Sequence, residues 1–226
     1  MAALDEQVVL VTGGTGQVGW GIAHAALDAG ATVLLPSRSE SGQTSLHEEF
    51  AAAVEAGRVH VLHADVGQPS GAGPLLDLVE QAGRLDHVVA AMGSWWQKGP
   101  ALEQPIAEID TLMQAYVTAQ LHLAKVTHEP LSRGGGSYTL VTGAAGEHLV
   151  PGTGLLVVAV NAQYALARVL MAEHADGPVR YNEVRIATRV ERQPRQGVVA
   201  SKTVGEHFVE VMAGPRRGEL IRYPAA

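Results

Sequence analysis

The sequence predicts a doubly wound α/β fold, in which a mainly parallel sheet of about seven strands carries helices on both faces. Short β-branched runs alternate with helical stretches of about 10 to 20 residues, which is the pattern of consecutive βαβ units. The strand segments are near-continuous apolar runs, as expected for a sheet that is covered on both faces. Gly30, Gly57 and Gly83 each end a helical stretch just before a strand.

The elements follow from these runs in chain order. The strands are predicted at residues 8–11, 32–35, 58–62, 85–91, 138–142, 179–186 and 219–223. The helices are predicted from the first glycine-rich turn to residue 28 and at 43–56, 75–82, 106–129, 155–173 and 198–212. Pro36 closes the second strand, and Gly134 to Gly136 precede the fifth.

Length and composition narrow the class of protein. A chain of 226 residues with 46% hydrophobic residues fits one nucleotide-binding domain spanning residues 1–226. The net charge of -7 argues against a nucleic-acid partner, because proteins that follow a phosphate backbone carry a basic face. The lack of cysteine excludes disulfides and cysteine nucleophiles, and the ten histidines show no metal-ligand spacing. We therefore expect no metal site.

The first residues and the apolar runs bear on the compartment. Residues 1–7 carry two acids and no basic cluster, which does not resemble a signal peptide. The longest apolar run, Leu155 to Val160, is far shorter than the ~20 residues that cross a bilayer. We expect a cytoplasmic protein with no membrane partner.

The sharpest motif is a glycine-rich loop between the first strand and the first helix. Its predicted cofactor-binding residues are Gly13, Thr15, Gly16, Gln17, Val18 and Gly19. Glycines in this context let backbone N–H groups and a helix N-terminus approach the pyrophosphate of a dinucleotide.

The ends of the second and third strands predict the other cofactor contacts. Proteins that read the free ribose of NAD place an acid after the second strand, whereas this chain has Ser37 and Arg38. A guanidinium at this place suits a ribose 2′-phosphate, which favours NADP over NAD, and the alternative is a solvated surface arginine. Asp65 and Val66 follow the third strand and are expected beside the adenine. The alternative interpretation of Asp65 is a helix N-cap or turn residue.

From Val8 to Tyr223 the chain resembles the short-chain dehydrogenase/reductase family. The resemblance rests on Thr12-Gly13, Asp65-Val66, the run Ala90-Ala91-Met92-Gly93 and the long helix 161–173. It implies that Ala91 and Gly93 contact the cofactor and that the long helix pairs with its symmetry mate in a homodimer or homotetramer. The glycine spacing, with Gln17 inside the loop, is similar to that of the extended and atypical branches of the family.

The resemblance fails at the catalytic positions. The family uses Asn, Ser, Tyr and Lys, with Tyr and Lys four residues apart on one helix. Leu156 and Val160 stand at the Tyr and Lys positions, and Gly143 stands at the Ser position. The Asn position falls at Tyr116, or at Val117 if the gap is placed differently. We therefore interpret the chain as an atypical member that lacks the tetrad.

Three side chains are candidate catalytic substitutes: Tyr116, His148 and Thr142. Tyr116 is a candidate proton donor or a packed tyrosine, and His148 is a candidate proton shuttle or a surface histidine. Thr142 offers a hydroxyl or simply ends the fifth strand.

Trp95 and Trp96, after the fourth strand, either wall a small-molecule pocket or plug an interface between subunits. The leading hypothesis is an NADP(H)-dependent oxidoreductase with a degenerate site. The alternatives are a non-catalytic cofactor-binding sensor or partner subunit, and an isomerase or lyase on the same scaffold.

Overall fold

The computed structural model describes residues 3–193 and 195–225. Its central sheet has seven parallel strands in the order β3-β2-β1-β4-β5-β6-β9. These strands are β1 (Val8–Val11), β2 (Thr32–Ser37), β3 (Val59–His63), β4 (His87–Ala90), β5 (Ser137–Gly143), β6 (Arg180–Ile186) and β9 (Leu220–Tyr223). The predicted α/β class and the seven-stranded parallel sheet are confirmed.

Helices cover both faces of this sheet. They are α1 (Gln17–Asp28), α2 (Glu40–Glu49), α3 (Ala51–Glu55), α4 (Ala72–Ala82), α5 (Ile106–Met113), α6 (Ala119–Gly134), α7 (Gly154–Glu173) and α8 (Ser201–Ala213). Alternate side chains of β1 enter two different cores: Val9 and Val11 pack with α1, α2 and α8, whereas Val8 and Leu10 pack with α4, α6 and α7. The apolar run of β1 is thus explained by burial on both faces.

Several element boundaries differ from the sequence prediction. The second strand continues through Pro36 to Ser37, and both residues pair with β3, so the proline does not close the strand. The helix expected at 43–56 breaks at the buried Phe50 into α2 and α3. The helix expected at 106–129 is α5 and α6 joined by a π-helical turn over residues 114–118, and α6 continues through Pro130 to Gly134. Before α8, the short strands β7 (Val190–Glu191) and β8 (Val199–Ala200) pair with each other in a separate small sheet.

Helix α7 is apolar enough and long enough to cross a membrane by composition, with a mean hydropathy of 1.7 over its best window. In the fold, Leu166 and Leu170 of this helix are buried in the core against the sheet, whereas Leu156 and Ala159 are buried in a cluster with Leu112 of α5. This packing accounts for much of its apolar composition.

Helices α1 and α8 touch at two glycines. A Cβ on Gly21 would lie 1.9 Å from the Ser201 carbonyl oxygen, and a Cβ on Gly205 would lie 2.1 Å from that of Gly21. Only glycine fits at this contact, which fixes the end of the segment 187–200 beside α1.

Candidate functional site

The glycine loop is a tight turn whose glycines are required by its own backbone. Gly13 has φ +68°, and a Cβ there would lie 2.2 Å from the Ala91 carbonyl oxygen. A Cβ on Gly19 would lie 2.2 Å from the Gly13 carbonyl oxygen. These two contacts seat the loop against the end of β4 and the start of α1, as the strand–loop–helix pattern predicts.

Gly16 is the N-cap residue of α1, and it leaves the N-terminal N–H groups of this helix without a side-chain cap. It has an extended backbone, no side-chain cap hydrogen bond is formed there, and the first turn of α1 carries no acid. The N-terminal N–H groups of a helix attract anions, and this helix end has no side chain in the way. The buried Thr12 hydroxyl beside the loop also has no hydrogen-bond partner among the described residues. The loop therefore fits a dinucleotide pyrophosphate.

The end of β2 carries a cluster of hydroxyl groups. Ser37 Oγ donates to the Ser39 carbonyl oxygen at 3.1 Å, and Ser39 Oγ caps α2 by accepting from Gly42 N. A Cβ on Gly42 would lie 2.3 Å from Ser37 Oγ and 3.5 Å from Thr15 Cγ2. Ser37, Ser39 and Thr15 thus surround Gly42, and the exposed Arg38 lies between the two serines in the chain.

Asp65 and Val66 are both held by local structure. Asp65 Oδ1 accepts a hydrogen bond from Gly67 N at 3.1 Å, so its carboxylate closes a turn, which is one of the two interpretations that the sequence left open. Val66 is buried among α4 and α6 side chains. Their contact with an adenine stays a prediction.

A cleft of about 520 Å³ opens at the carboxyl ends of the central strands. In parallel α/β sheets this edge is where ligands bind. The lining residues follow β1, β4, β5 and β6 or face them from helices: Val18, Ala91, Met92, Gly93, Ser94, Trp95, Tyr116, Val141, Thr142, Gly143, Ala144, Ala145, Leu156, Val160, Gln163, Ile186, Ala187, Thr188 and Arg189. Among the predicted site residues, the fold brings Val18, Ala91, Gly93, Tyr116 and Thr142 to this cleft.

Tyr116 supports the loop after β4. Its hydroxyl donates to the Ser94 carbonyl oxygen at 2.5 Å and accepts from Ser94 N at 3.0 Å. Burial raises the pKa of this phenol. Gly93, with φ +124°, leaves room for the ring, since a Cβ there would lie 2.8 Å from Tyr116 Cε1. The proton of the Tyr116 hydroxyl is thus directed at a backbone oxygen.

The two adjacent tryptophans face different surroundings. Trp95 lines the cleft with 62% of its surface exposed. Trp96 is buried in a cluster with Tyr116, Leu156 and Val160, and its indole donates to Glu108 Oε2 at 2.8 Å. Trp95 is therefore the tryptophan that a cleft ligand would meet, and Trp96 supports the wall behind it.

Thr142 connects the cleft to a buried charge network. Its hydroxyl donates to Glu183 Oε1 at 2.6 Å, and the same oxygen accepts from Arg185 Nη2 at 2.7 Å. Arg185 also donates to Glu147 Oε1. The exposed Arg222 donates to the same oxygen, with a distance of 2.6 Å between Nη1 and Oε1. Hydrogen bonds from Arg222 and Arg185 lower the pKa of Glu147. Glu183, only 1% exposed, is thereby paired and hydrogen-bonded, as a buried carboxylate requires.

The α7 wall of the cleft is apolar where it faces β5. Leu156 and Val160 line the cleft and are 1% and 2% exposed. One helical turn further on, Tyr164 packs under the Arg185 guanidinium, whose Cζ lies 3.6 Å from the centre of the Tyr164 ring. Its hydroxyl also donates to the Gly143 carbonyl oxygen, which fastens the end of β5.

His148 is not brought to the cleft. It is exposed in the loop between β5 and α7, and it is not among the lining residues. A loop histidine has no packing that turns its ring inward, so its proposed role as a proton shuttle has no geometric support and stays a prediction.

Sequence reasoning missed the polar residues of β6 and of the segment after it. Glu183 and Arg185 had a visible signal, since charged side chains in a largely buried strand must be paired. Arg192 had none: it lies in an irregular segment, and it reaches the glycine loop through contacts between residues 177 positions apart.

The fold and the loop together define a dinucleotide-binding doubly wound α/β protein. A family model described as "Enoyl-(Acyl carrier protein) reductase" matches residues 15–213. The chain belongs to the short-chain dehydrogenase/reductase family, which implies a nicotinamide nucleotide cofactor.

Two curated relatives are similar in sequence. The L-fucose dehydrogenase of Oryctolagus cuniculus is 31% identical over 145 residues, which is 62% of this chain and 49% of that protein. The short-chain dehydrogenase/reductase fsr5 of Gibberella fujikuroi is 28% identical over 184 residues, which is 78% of this chain and 69% of that protein. The chain therefore spans about half the length of the first of these relatives.

Two solved structures share the fold. A short chain dehydrogenase from Mycobacterium smegmatis superimposes with a TM-score of 0.86 at 22% identity, covering 100% of this chain and 94% of that one. The enoyl-[acyl-carrier-protein] reductase (NADH) from Aquifex aeolicus has a TM-score of 0.84 at 19% identity, covering 97% and 95%. At these identities the likeness concerns the fold alone.

Proposed function

We propose that the protein is an NADP(H)-binding oxidoreductase that acts on a small molecule in the apolar cleft. The observation that carries the proposal is the uncapped N-terminus of α1 at Gly16, at the same sheet edge as a cleft of about 520 Å³. A bound nicotinamide supplies hydride transfer. The protein's own part is to bind the phosphates on the loop and to shape the cleft.

The preference for NADP(H) rests on the end of β2. Ser37 and Ser39 present hydroxyl groups there, and Arg38 supplies a positive charge that suits a phosphate. A side-chain acid that would hold a free ribose 2′-hydroxyl is missing from residues 36–39.

The chemistry of the cleft is degenerate. Leu156 and Val160 form an apolar wall where the family places a phenol and an ammonium. The Tyr116 proton points to the Ser94 oxygen, and the Thr142 proton points to Glu183. Neither hydroxyl is poised to protonate a substrate, so we propose that turnover draws its proton from water and is slow for ordinary ketones.

The first test is binding, followed by turnover. Calorimetric titration with NADPH and NADH measures affinity, and NADPH oxidation is then followed over a panel of ketones, aldehydes and quinones. Tyr116→Phe, Thr142→Val and the loop control His148→Ala complete the set. We expect tight NADPH binding, weaker NADH binding and slow turnover that His148→Ala leaves unchanged.

Two results would contradict this function in different ways. Wild-type protein that binds neither dinucleotide would exclude a cofactor-dependent role altogether. Tight NADPH binding without turnover of any panel member would favour the cofactor-binding sensor or partner subunit over the oxidoreductase.

A further inference from the structure

Arg192, in the segment between β6 and α8, contacts the glycine loop. Its backbone N–H donates to Gln17 Oε1 at 2.8 Å, and its Nη2 donates to the Thr15 carbonyl oxygen at 3.1 Å. Both partners belong to the loop that we assign to the cofactor phosphates. A guanidinium from a distant part of the chain thus lies on this loop.

The Arg192 guanidinium is weakly held by its other neighbours. It lies 5.1 Å from the Trp20 ring centroid, and Glu49 Oε2 is 3.7 Å away, which is too long for a strong hydrogen bond. Glu49 Oε1 is already bound by His24 Nε2 at 3.0 Å. With its side chain 39% exposed, Arg192 keeps most of its donors for an additional acceptor among the described surroundings.

The glycine loop supplies no positive charge of its own to a phosphate. Residues 12–19 contain no charged side chain, so the loop itself supplies only backbone dipoles and hydroxyls. Thr15 lies on the same side of Gly42 as Ser39, because a Cβ on Gly42 would lie 3.5 Å from Thr15 Cγ2 and 3.0 Å from Ser39 Oγ. Arg192 binds the carbonyl of that same Thr15. Arg192 therefore reaches the backbone of a residue beside the hydroxyl cluster, and Arg38 lies between two members of that cluster in the chain.

We propose that Arg192 is a specificity-determining residue that binds the ribose 2′-phosphate of NADP(H) together with Arg38. The inference rests on the proposed function and names a second cation for its cofactor site. The pyrophosphate is the other acceptor nearby. The 2′-phosphate is favoured because the cluster of Thr15, Ser37 and Ser39 lies on the β2 side of the loop.

The test compares NADPH with NADH by calorimetry for the wild type, Arg192→Gln and Arg195→Gln. Arg195 is the matched control, since it is in the same segment and pairs with Glu191 at 2.6 Å. For Arg192→Gln we expect about tenfold weaker NADPH binding, the low end for a charge-assisted hydrogen bond at a partly exposed site. NADH affinity is expected to change less than about threefold, and Arg195→Gln is expected to leave both affinities unchanged.

A purely structural role for Arg192 predicts other results. Arg192→Lys keeps the charge, so we expect it to bind NADPH more tightly than Arg192→Gln does. We expect the melting temperature of both variants without ligand to stay close to that of the wild type. Competition by 2′-AMP is expected to weaken in Arg192→Gln, whereas competition by 5′-AMP is not.

Equal losses for NADPH and NADH, or an unchanged NADPH affinity, would overturn the assignment to the 2′-phosphate. Failure of the proposed function has a different signature, because the wild type would then bind neither dinucleotide. That result would overturn the proposed function and the assignment of Arg192 together.

Discussion

Gly16 allows cofactor binding to be separated from folding by one pair of substitutions, Gly16→Asp and Gly16→Asn. The backbone at Gly16 is extended with φ -81°, so a side chain is not strained there. A Cβ would lie 3.2 Å from the Gly13 carbonyl oxygen, which a shift of a few tenths of an ångström relieves. Both variants are expected to fold.

The two variants differ in charge while sharing shape and capping ability. Asp and Asn are both good N-cap residues, so each is expected to add a few tenths of a kcal/mol to the stability of α1. The carboxylate of Asp gains up to ~1 kcal/mol more from the helix dipole. A carboxylate about 4 Å from a bound phosphate would instead cost about 4 kcal/mol at an effective dielectric constant of about 20, which is roughly a thousandfold in affinity.

The assay combines urea unfolding without ligand and calorimetry with NADPH. We expect Gly16→Asp to be as stable as the wild type or slightly more stable, yet to bind no measurable NADPH, while Gly16→Asn retains part of the affinity. Raising the salt concentration is expected to narrow the difference between the two variants. Tight NADPH binding by Gly16→Asp would refute the assignment of the phosphates to this helix end.

Three further predictions concern stability, chemistry and assembly. Burial lowers the pKa of His87 from 6.5 to about 4, so the neutral His87 contributes a free energy of unfolding that is present above pH 6.5 and is lost as the pH falls towards 4. Between about pH 8 and pH 5 we expect urea unfolding to show a loss of about 2 kcal/mol from this residue. His87→Gln is expected to remove that part of the dependence of the unfolding free energy on pH. Leu156→Tyr with Val160→Lys is expected to create measurable ketone reduction at a cost in melting temperature, because the Lys enters a site that is 2% exposed; no gain in NADPH oxidation would refute the placement of the apolar wall. Light scattering is expected to show a homodimer or homotetramer, since α7 exposes Val158 and Val169, and a particle of the 23.7 kDa chain mass would contradict this.

The fold was predictable because its signals are local. The β1 run Val8 to Val11 is buried on both faces and reads as a central strand, and the glycines 30, 57 and 83 lie at the turns where the chain reverses. The break at Phe50 was not predictable, because it depends on an aromatic ring that tertiary packing buries while the helical pattern continues. The pairing of β7 with β8 is a contact between two-residue segments that carry no periodic signal.

The candidate site was predictable only where backbone geometry requires a residue type. Gly13 and Gly19 are required by contacts with the Ala91 and Gly13 carbonyl oxygens, and this requirement is visible in the sequence as spacing. The partners of Tyr116 and Thr142 are set by residues 22 and 41 positions away, so the sequence showed the hydroxyls but not the direction of their protons. His148 shows the reverse case, a suitable side chain that its loop leaves in solvent.

Three hydroxyl groups at the cleft walls hold the cleft in shape, since each donates its proton to a protein oxygen. Tyr116 fastens the loop after β4 through Ser94, and Tyr164 fastens the end of β5 through Gly143. Thr142 ties the same strand to Glu183, whose charge is balanced by Arg185. Because a hydroxyl that donates to a buried acceptor must break that bond before it donates to a substrate, each of these groups loses the net value of a hydrogen bond, about 1 kcal/mol or more, when it acts as an acid. These three hydroxyls therefore stabilise the walls of the cleft, and we expect them to be poor proton donors in any reduction.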